Sequence, residues 1–499
     1  MATTTFKRDR LERPTTALDV LRLPLIGPLL KWRWGRLVFQ SVLLIAALAM
    51  LWDGFTGPEQ ASRNLATVGA WVHYRGLVVV ALLLVGNLFC MACPFTLPRT
   101  LAKRLSVRGR RFPLALRSKW LAVAGLVILF FLYEWLDMWA SPALTAWVIV
   151  FYFVASFAME AFFTESAFCK YVCPLGTFNF VYSAISPTQI SVRDPNICAH
   201  CAGKECINGS YSPTPTVRID QIPVLSADET HPVEVRHSPQ GTLGCGTLLC
   251  APQIQSNLDC TLCLDCVRAC PHDNASLFAR TPGRELLTDA WPKRWDVAFL
   301  VVALTWMGVT NAFGMVPPVY ELQAWLAQAL NTQSEFLVLG VIFGVGNVLL
   351  PLLTLVGAAA LTRRLAGGQH SLREVAGSFA PAFIPLGFGV WFAHYGFHFL
   401  IAPLLIVPVI QEFLGGIGEW ERFSVALDSD WIGIIQVVAL VGGFAASLWL
   451  GQRISQRLYR RRSFQAFVPW ALALLGVMLL AWWIFQLPME MRGVDDFLR

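Results

Sequence analysis

Thirteen cysteines in a chain of 499 residues carry the most chemistry for their number. Cys260, Cys263, Cys266 and Cys270, followed by Pro271, leave gaps of two, two and three residues. Three thiolates on one such loop can cap three irons of a cubane, and the fourth then serves a second cluster. One motif therefore requires a partner, which CAHCAGKEC supplies as Cys198, Cys201 and Cys206. The spacing predicts one 4Fe-4S cluster on Cys198, Cys201, Cys206 and Cys270, and a second on Cys260, Cys263 and Cys266. The eighth ligand comes from Cys245 or Cys250. The open Gly-Cys-Gly backbone around Cys245 favours it over Cys250, which follows Leu248 and Leu249. Paired cysteines also make tetrahedral zinc sites. The full spacing, ending in Cys-Pro, favours clusters.

Two further pairs, Cys90 with Cys93 and Cys169 with Cys173, each directly precede a proline, Pro94 and Pro174. A residue before proline resists helical geometry, so a helix should stop at each pair. If the two helices are neighbours, four sulfurs converge at one membrane edge as a candidate third metal or redox centre. Four thiolates suit iron, zinc or copper(I), and free thiols are an equal alternative.

The elements that must position these residues are apolar. Hydrophobic residues make up 56% of the chain and charged ones 14%, a composition of membrane proteins. Runs near 36–54, 72–93, 119–140, 143–166, 296–316, 335–360, 377–402, 431–451 and 466–487 are each about the 20 residues needed to cross a bilayer. The expected fold is an α-helical polytopic membrane protein of about nine transmembrane helices with an inserted small α+β ferredoxin-like domain. Its parts are an N-terminal interfacial segment, 1–35, a four-helix membrane domain, 36–187, a two-cluster domain, 188–294, and a five-helix membrane domain, 295–499. A Pro- and Ser-rich insertion interrupts the cluster domain near 209–240. Leu21 to Trp34 is expected to lie along the membrane surface.

The net charge of +7 is spread over short loops and forms no basic face, which argues against nucleic-acid binding. Arg99, Lys103, Arg104, Arg108, Arg110, Arg111, Arg117 and Lys119 follow the second run, and Arg453, Arg457 and Arg460 to Arg462 follow the eighth. By the positive-inside rule both groups are cytoplasmic. Glu321, Glu412, Glu419, Glu421, Asp428 and Asp430 then lie outside. The N-terminus and cluster domain are expected in the cytoplasm and the C-terminus outside, in the inner (plasma) membrane. Lys7, Arg8, Arg10 and Arg13 lead no signal-peptide core.

With these motifs, the chain resembles the membrane-bound polyferredoxin superfamily, the 4Fe-4S accessory proteins of nitrate reductase, nitrous-oxide reductase and copper-oxidase systems. The resemblance covers roughly residues 70–280. CKYVCP at 169–174 matches the paired C-x3-C-P pattern of that family; CMACP at 90–94 is one residue shorter, and Cys245-Gly246 stands where a Cys-Pro is usual. The resemblance implies a cytoplasmic domain with two 4Fe-4S clusters and other respiratory or redox subunits as partners. It does not reach the last five runs.

His394 and His398, four residues apart in FAHYGFHF, share a helix face, and His73 opens the second run; all three are expected at the outer side with Glu134 and Asp137. Ionisable groups at membrane depth point to function. They could ligate haem b, with one histidine from each of two helices, exchange protons with a quinol, or bond only to backbone and water. Seventeen residues of continuous helix from His73 to Cys90 span about 26 Å, so outer and inner groups cannot touch. Glu160 lies nine residues before Cys169 and could take protons there.

These features imply a membrane iron–sulfur protein passing electrons between a quinol or outer-side redox donor and a cytoplasmic partner, an electron-transfer subunit or quinol-linked oxidoreductase. The alternative is a copper-reducing assembly factor for a respiratory oxidase, with copper(I) on the edge thiolates.

Overall fold

The computed structural model of the chain describes residues 18–32, 34–97, 110–210, 241–423, 427, 429–490 and 492. The chain is mostly helical, with one two-stranded sheet. Seven helical stretches are long and apolar enough to cross a membrane: Gly35–Thr56, Leu65–Leu84, Pro142–Phe162, Trp295–Phe313, Glu335–Ala366, Leu372–Ile401 and Asp430–Phe485. The last of these contains two helices, Ser429–Tyr459 and Ser463–Phe485, joined at Arg460–Arg462. Trp120–Trp135 is apolar but shorter. Large apolar side chains such as Ile45, Trp52, Phe151 and Leu353 point outward from these helices. Such a surface suits lipid, and the helices satisfy their own backbone. This is a multi-pass membrane protein.

The Leu65–Leu84 and Leu372–Ile401 helices hold the two halves together. A Cβ on Gly76 would stand 2.3 Å from the Cβ of Phe399, so the contact exists because position 76 has no side chain. Trp391, fully buried, donates from Nε1 to the Leu304 carbonyl at 2.9 Å and packs against Phe130 and Phe178.

The second apolar run does not continue as helix to Cys93. It breaks at Gly86, whose φ of +110° favours glycine, and restarts as the short helix Leu88–Met91. Residues before the two prolines, Cys93 and Cys173, are extended with ψ of 119° and 114°, and each stops the preceding turn. Cys169 sits in a π-helical turn, Phe168–Val172.

The cysteine-rich region is built on β1, Thr188–Val192, antiparallel to β2, Ala275–Ala279, with Ile190 opposite Leu277. Its core of Ile190, Val192, Leu262, Leu264 and Leu277 also takes Leu21. The N-terminal segment therefore does not simply lie on a membrane surface. Ala279 donates to the Leu18 carbonyl at 2.8 Å, and Lys31 pairs with Asp273 at 2.9 Å. Leu25, Ile26, Leu29 and Trp32 remain exposed on its other side. Arg99, Lys103, Arg104, Arg108, Asp428 and most of the insertion near 209–240 lie outside the described residues.

Candidate functional site

Two groups of thiols assemble on the sheet. Cys198 interacts electrostatically with Cys201, Cys206 and Cys270, whereas Cys245 stands among Cys260, Cys263 and Cys266. The spacing grouped the same eight residues, and the structure adds Cys250 beside Cys206. The loop that carries the second group turns through three non-glycine residues in left-handed geometry, Asp259, Leu262 and Leu264, with φ of 67°, 55° and 60°. Such residues cost about 1–2 kcal/mol each, and they wind a short segment tightly enough to turn its thiols inward.

N–H groups already point at several sulfurs. Asn274 donates from Nδ2 to Cys198 Sγ at 3.1 Å and from its backbone to Cys270 Sγ at 3.4 Å, and Leu249 N donates to Cys245 Sγ at 3.3 Å. Donors of this kind stabilise the negative sulfur of a metal-bound thiolate. One set of five thiols, counting Cys250, and one of four offer enough ligands for two 4Fe-4S clusters. Among the described residues no three His, Cys, Asp or Glu side chains converge at the spacing of a single ion. Cubane ligands stand further apart because each binds a different iron. Cys250 was not expected in the first group. Its thiol donates to Cys206, the largest influence holding Cys206 down at about 6, and is itself pushed up.

Cys90, Cys93, Cys169 and Cys173 come together at one end of an apolar cavity of about 250 Å³. Asn179 Nδ2 reaches Cys90 Sγ at 3.5 Å. Thr261, beside Cys260 in the second thiol loop, lines the same cavity. The junction is pinned by Asn87, which donates to the Cys260 carbonyl at 3.0 Å, and by Arg36, which bonds the Met91 carbonyl and Asp265, each at 3.1 Å. Edge thiols and the second thiol loop are thus neighbours. Lys119 pairs with Asp259, Arg117 with Glu165 at 3.4 Å, and Arg457 Nη1 with the Leu287 carbonyl at 3.2 Å. Of the two basic groups, Arg117, Lys119 and Arg457 therefore lie on the side of the cysteine-rich region.

The far end of the cavity holds Arg75, which is 7% exposed. Its guanidinium lies over the rings of Tyr133, Trp71 and Tyr395 at 4.3, 4.5 and 5.1 Å, and Nη1 donates to Tyr133 Oη at 3.1 Å. Among the described residues no carboxylate pairs with it. A buried cation without a counter-ion is costly, and aromatic faces offset only part of that cost. This end suits a ligand that offers carbonyl or oxyanion oxygens on an apolar body.

The expected outer groups divide. His73 faces backbone carbonyls with both ring nitrogens, Val68 at 3.3 Å and Pro403 at 3.2 Å. His394 and His398 are buried with ring centroids 5.2 Å apart; His394 Nε2 meets Met315 Sδ at 3.2 Å, while His394 Nδ1 and His398 Nε2 have no partner. Glu134 pairs with Arg492 at 2.5 Å, Asp137 follows the end of the helix Trp120–Trp135 with φ 45°, and Glu160 is buried beside Cys169. Sequence reasoning missed Arg75, although a lone arginine in VHYRGLVVV was a visible signal. It also missed Met315 and Arg492, for which no local signal exists. Comparison of the chain with known protein families, curated proteins and solved structures finds no match.

Proposed function

We propose that this chain is a membrane iron–sulfur electron-transfer protein of the polyferredoxin type, oxidising a quinol in the apolar cavity and delivering electrons to a partner on the cluster side. Cys198, Cys201, Cys206 and Cys270 would hold one 4Fe-4S cluster, and Cys245, Cys260, Cys263 and Cys266 the other. The clusters supply one-electron steps over a wide range of potential. Nine helices cross the inner membrane in this reading, with the N-terminus and clusters cytoplasmic and the C-terminus outside, because the basic loops flank the cluster region.

One observation carries the proposal: a single cavity has at one end an arginine among aromatic rings, with no ion-pair carboxylate among the described residues, and four thiols plus Thr261 at the other. Its lining covers the interval that the sequence left empty. Quinone fits better than haem, since ligation from two helices needs an imidazole opposite His394 or His398, and both nitrogens of His73 face carbonyls. The other subunits would dock on the cluster side.

The test is iron, sulfide, copper and haem analysis of anaerobically purified protein, followed by addition of a short-chain quinol. About eight irons and eight sulfides, bleached by the quinol, are expected. Zinc without sulfide would overturn the cluster assignment. The copper-reducing reading is favoured by one feature, the four edge thiols around one space, which suit a soft ion. Stoichiometric copper lost on replacing Cys90 and Cys173 by serine would select it.

A further inference from the structure

The arginine end of the cavity does not stop at Arg75. Tyr133, which bonds Arg75, is followed by Glu134, and the Glu134 carboxylate lies within electrostatic reach of Arg75. One oxygen of Glu134 binds Arg492 Nη1 at 2.5 Å; the other is buried without a hydrogen-bond partner. Arg492 also donates from Nη2 to the Gly314 carbonyl at 2.7 Å and from Nε to Glu490 at 3.1 Å. Glu490 bonds the hydroxyl of Tyr320, and both are open to solvent. His394 and His398, each with an unpartnered nitrogen, interact electrostatically with both Arg75 and Arg492 and so lie near both.

Titratable groups and orphaned polar atoms thus run from the cavity to the molecular face opposite the thiol clusters. Buried polar atoms without partners mark places where water or a mobile proton completes the bonding. Glu134 borders both the arginine end and the solvent-connected pair.

We propose that Glu134, with His394 and His398, takes the protons of a quinol oxidised at Arg75 and releases them through the Arg492–Glu490 pair at the face opposite the clusters. This rests on the quinol reading above. The step balances: two O–H bonds of the quinol break, giving the quinone, two protons and two electrons. The electrons leave toward the thiol end, to be taken by the two clusters one each, and the protons leave the other way. The reaction then separates charge across the membrane.

The experiment uses the whole protein in sealed lipid vesicles with the clusters facing out and a pH-sensitive dye trapped within. Duroquinol is the donor, and ferricyanide, which does not cross the bilayer, is the outer acceptor. The expected result is ferricyanide reduction with acidification of the lumen, and a loss of at least tenfold in the acidification rate in Glu134→Gln. Quinone binding, read by quenching of Trp71 fluorescence against a Trp71→Phe control, should persist in that variant. Because Glu134→Gln takes away the buried carboxylate of Arg492, the double variant Glu134→Gln with Arg492→Gln is measured too, and it must also fail to acidify the lumen. Ferricyanide reduction with protons appearing only outside would overturn the proposal while leaving the quinol reading intact, and would point to Glu160 beside Cys169. A native rate of lumen acidification in both variants would remove Glu134 from the route. Absence of quinol-driven ferricyanide reduction would overturn the quinol reading and this inference with it.

Discussion

Cys245 and Cys250 are five residues apart, yet they serve different neighbourhoods. Cys245 joins Cys260, Cys263 and Cys266, whereas Cys250 donates to Cys206. Replacing Cys245 by serine should lower bound iron from about eight to about four per chain, and replacing Cys250 should leave about eight; iron analysis of the two variants decides the assignment. Asn274 aims its amide at Cys198 Sγ. A donor to a cluster sulfur stabilises the more negative, reduced state, so its loss lowers the potential. Asn274→Leu removes that donor without adding a charge, and at about 1 kcal/mol per hydrogen bond the potential of the proposed first cluster should fall by roughly 40 mV. A redox titration followed by electron paramagnetic resonance measures it; an unchanged potential would show that Asn274 only ties the loop to Asp194, whose carbonyl it also binds at 2.7 Å.

At the scale of elements, the break in the second apolar run is the decisive device. Gly86 reverses the chain so that Leu88–Met91 can carry Cys90 over the cavity end and Asn87 can reach the Cys260 carbonyl. A Cβ there would meet Thr188 Oγ1 at 2.6 Å in a backbone conformation that disfavours side chains. Gly86→Val should therefore destabilise the junction by about 2 kcal/mol or more and uncouple quinol addition from cluster bleaching before iron is lost. Stopped-flow absorbance with parallel iron analysis separates these effects. Local sequence rules foresaw the stops at Cys93 and Cys173, because proline acts on its neighbour. They did not foresee the break at Gly86, since a glycine inside an apolar run is compatible with continuous helix.

At the scale of the whole molecule, a clasp joins the N-terminal segment to the cysteine-rich sheet. Asp19 accepts from Arg193 Nε at 2.8 Å and from the Ser276 hydroxyl, and Asp273 meets Arg193 and Lys31. Burial pushes both carboxyls up, but Ser276 and Arg193 at Asp19, and Lys31 and Arg193 at Asp273, overcome it and hold both below the ordinary range. A depressed carboxyl contributes stability that is fully present above its unfolded value, about 3.9, and is lost as pH falls through its lower folded value. The segment should stay docked at neutral pH and loosen only below about pH 4. Hydrogen exchange at the Ala279 amide, which bonds the Leu18 carbonyl, reports this directly; equal protection at pH 3 and 7 would refute it.

The sequence by itself determined the apolar helices and which cysteines could belong together, since both follow from spacing along one chain. Bilayer thickness sets the length of an apolar run, and a cubane needs thiols at short, specific gaps. Only the tertiary structure decided what surrounds Arg75, where the cavity runs, and that Cys250 joins Cys206. Arg492 binds Glu134 across 358 residues of sequence, and Tyr395 reaches Arg75 from the other half of the molecule. No local periodicity encodes such meetings. They depend on helices approaching closely at positions such as Gly76, and a buried charge takes whatever partners that packing brings within reach.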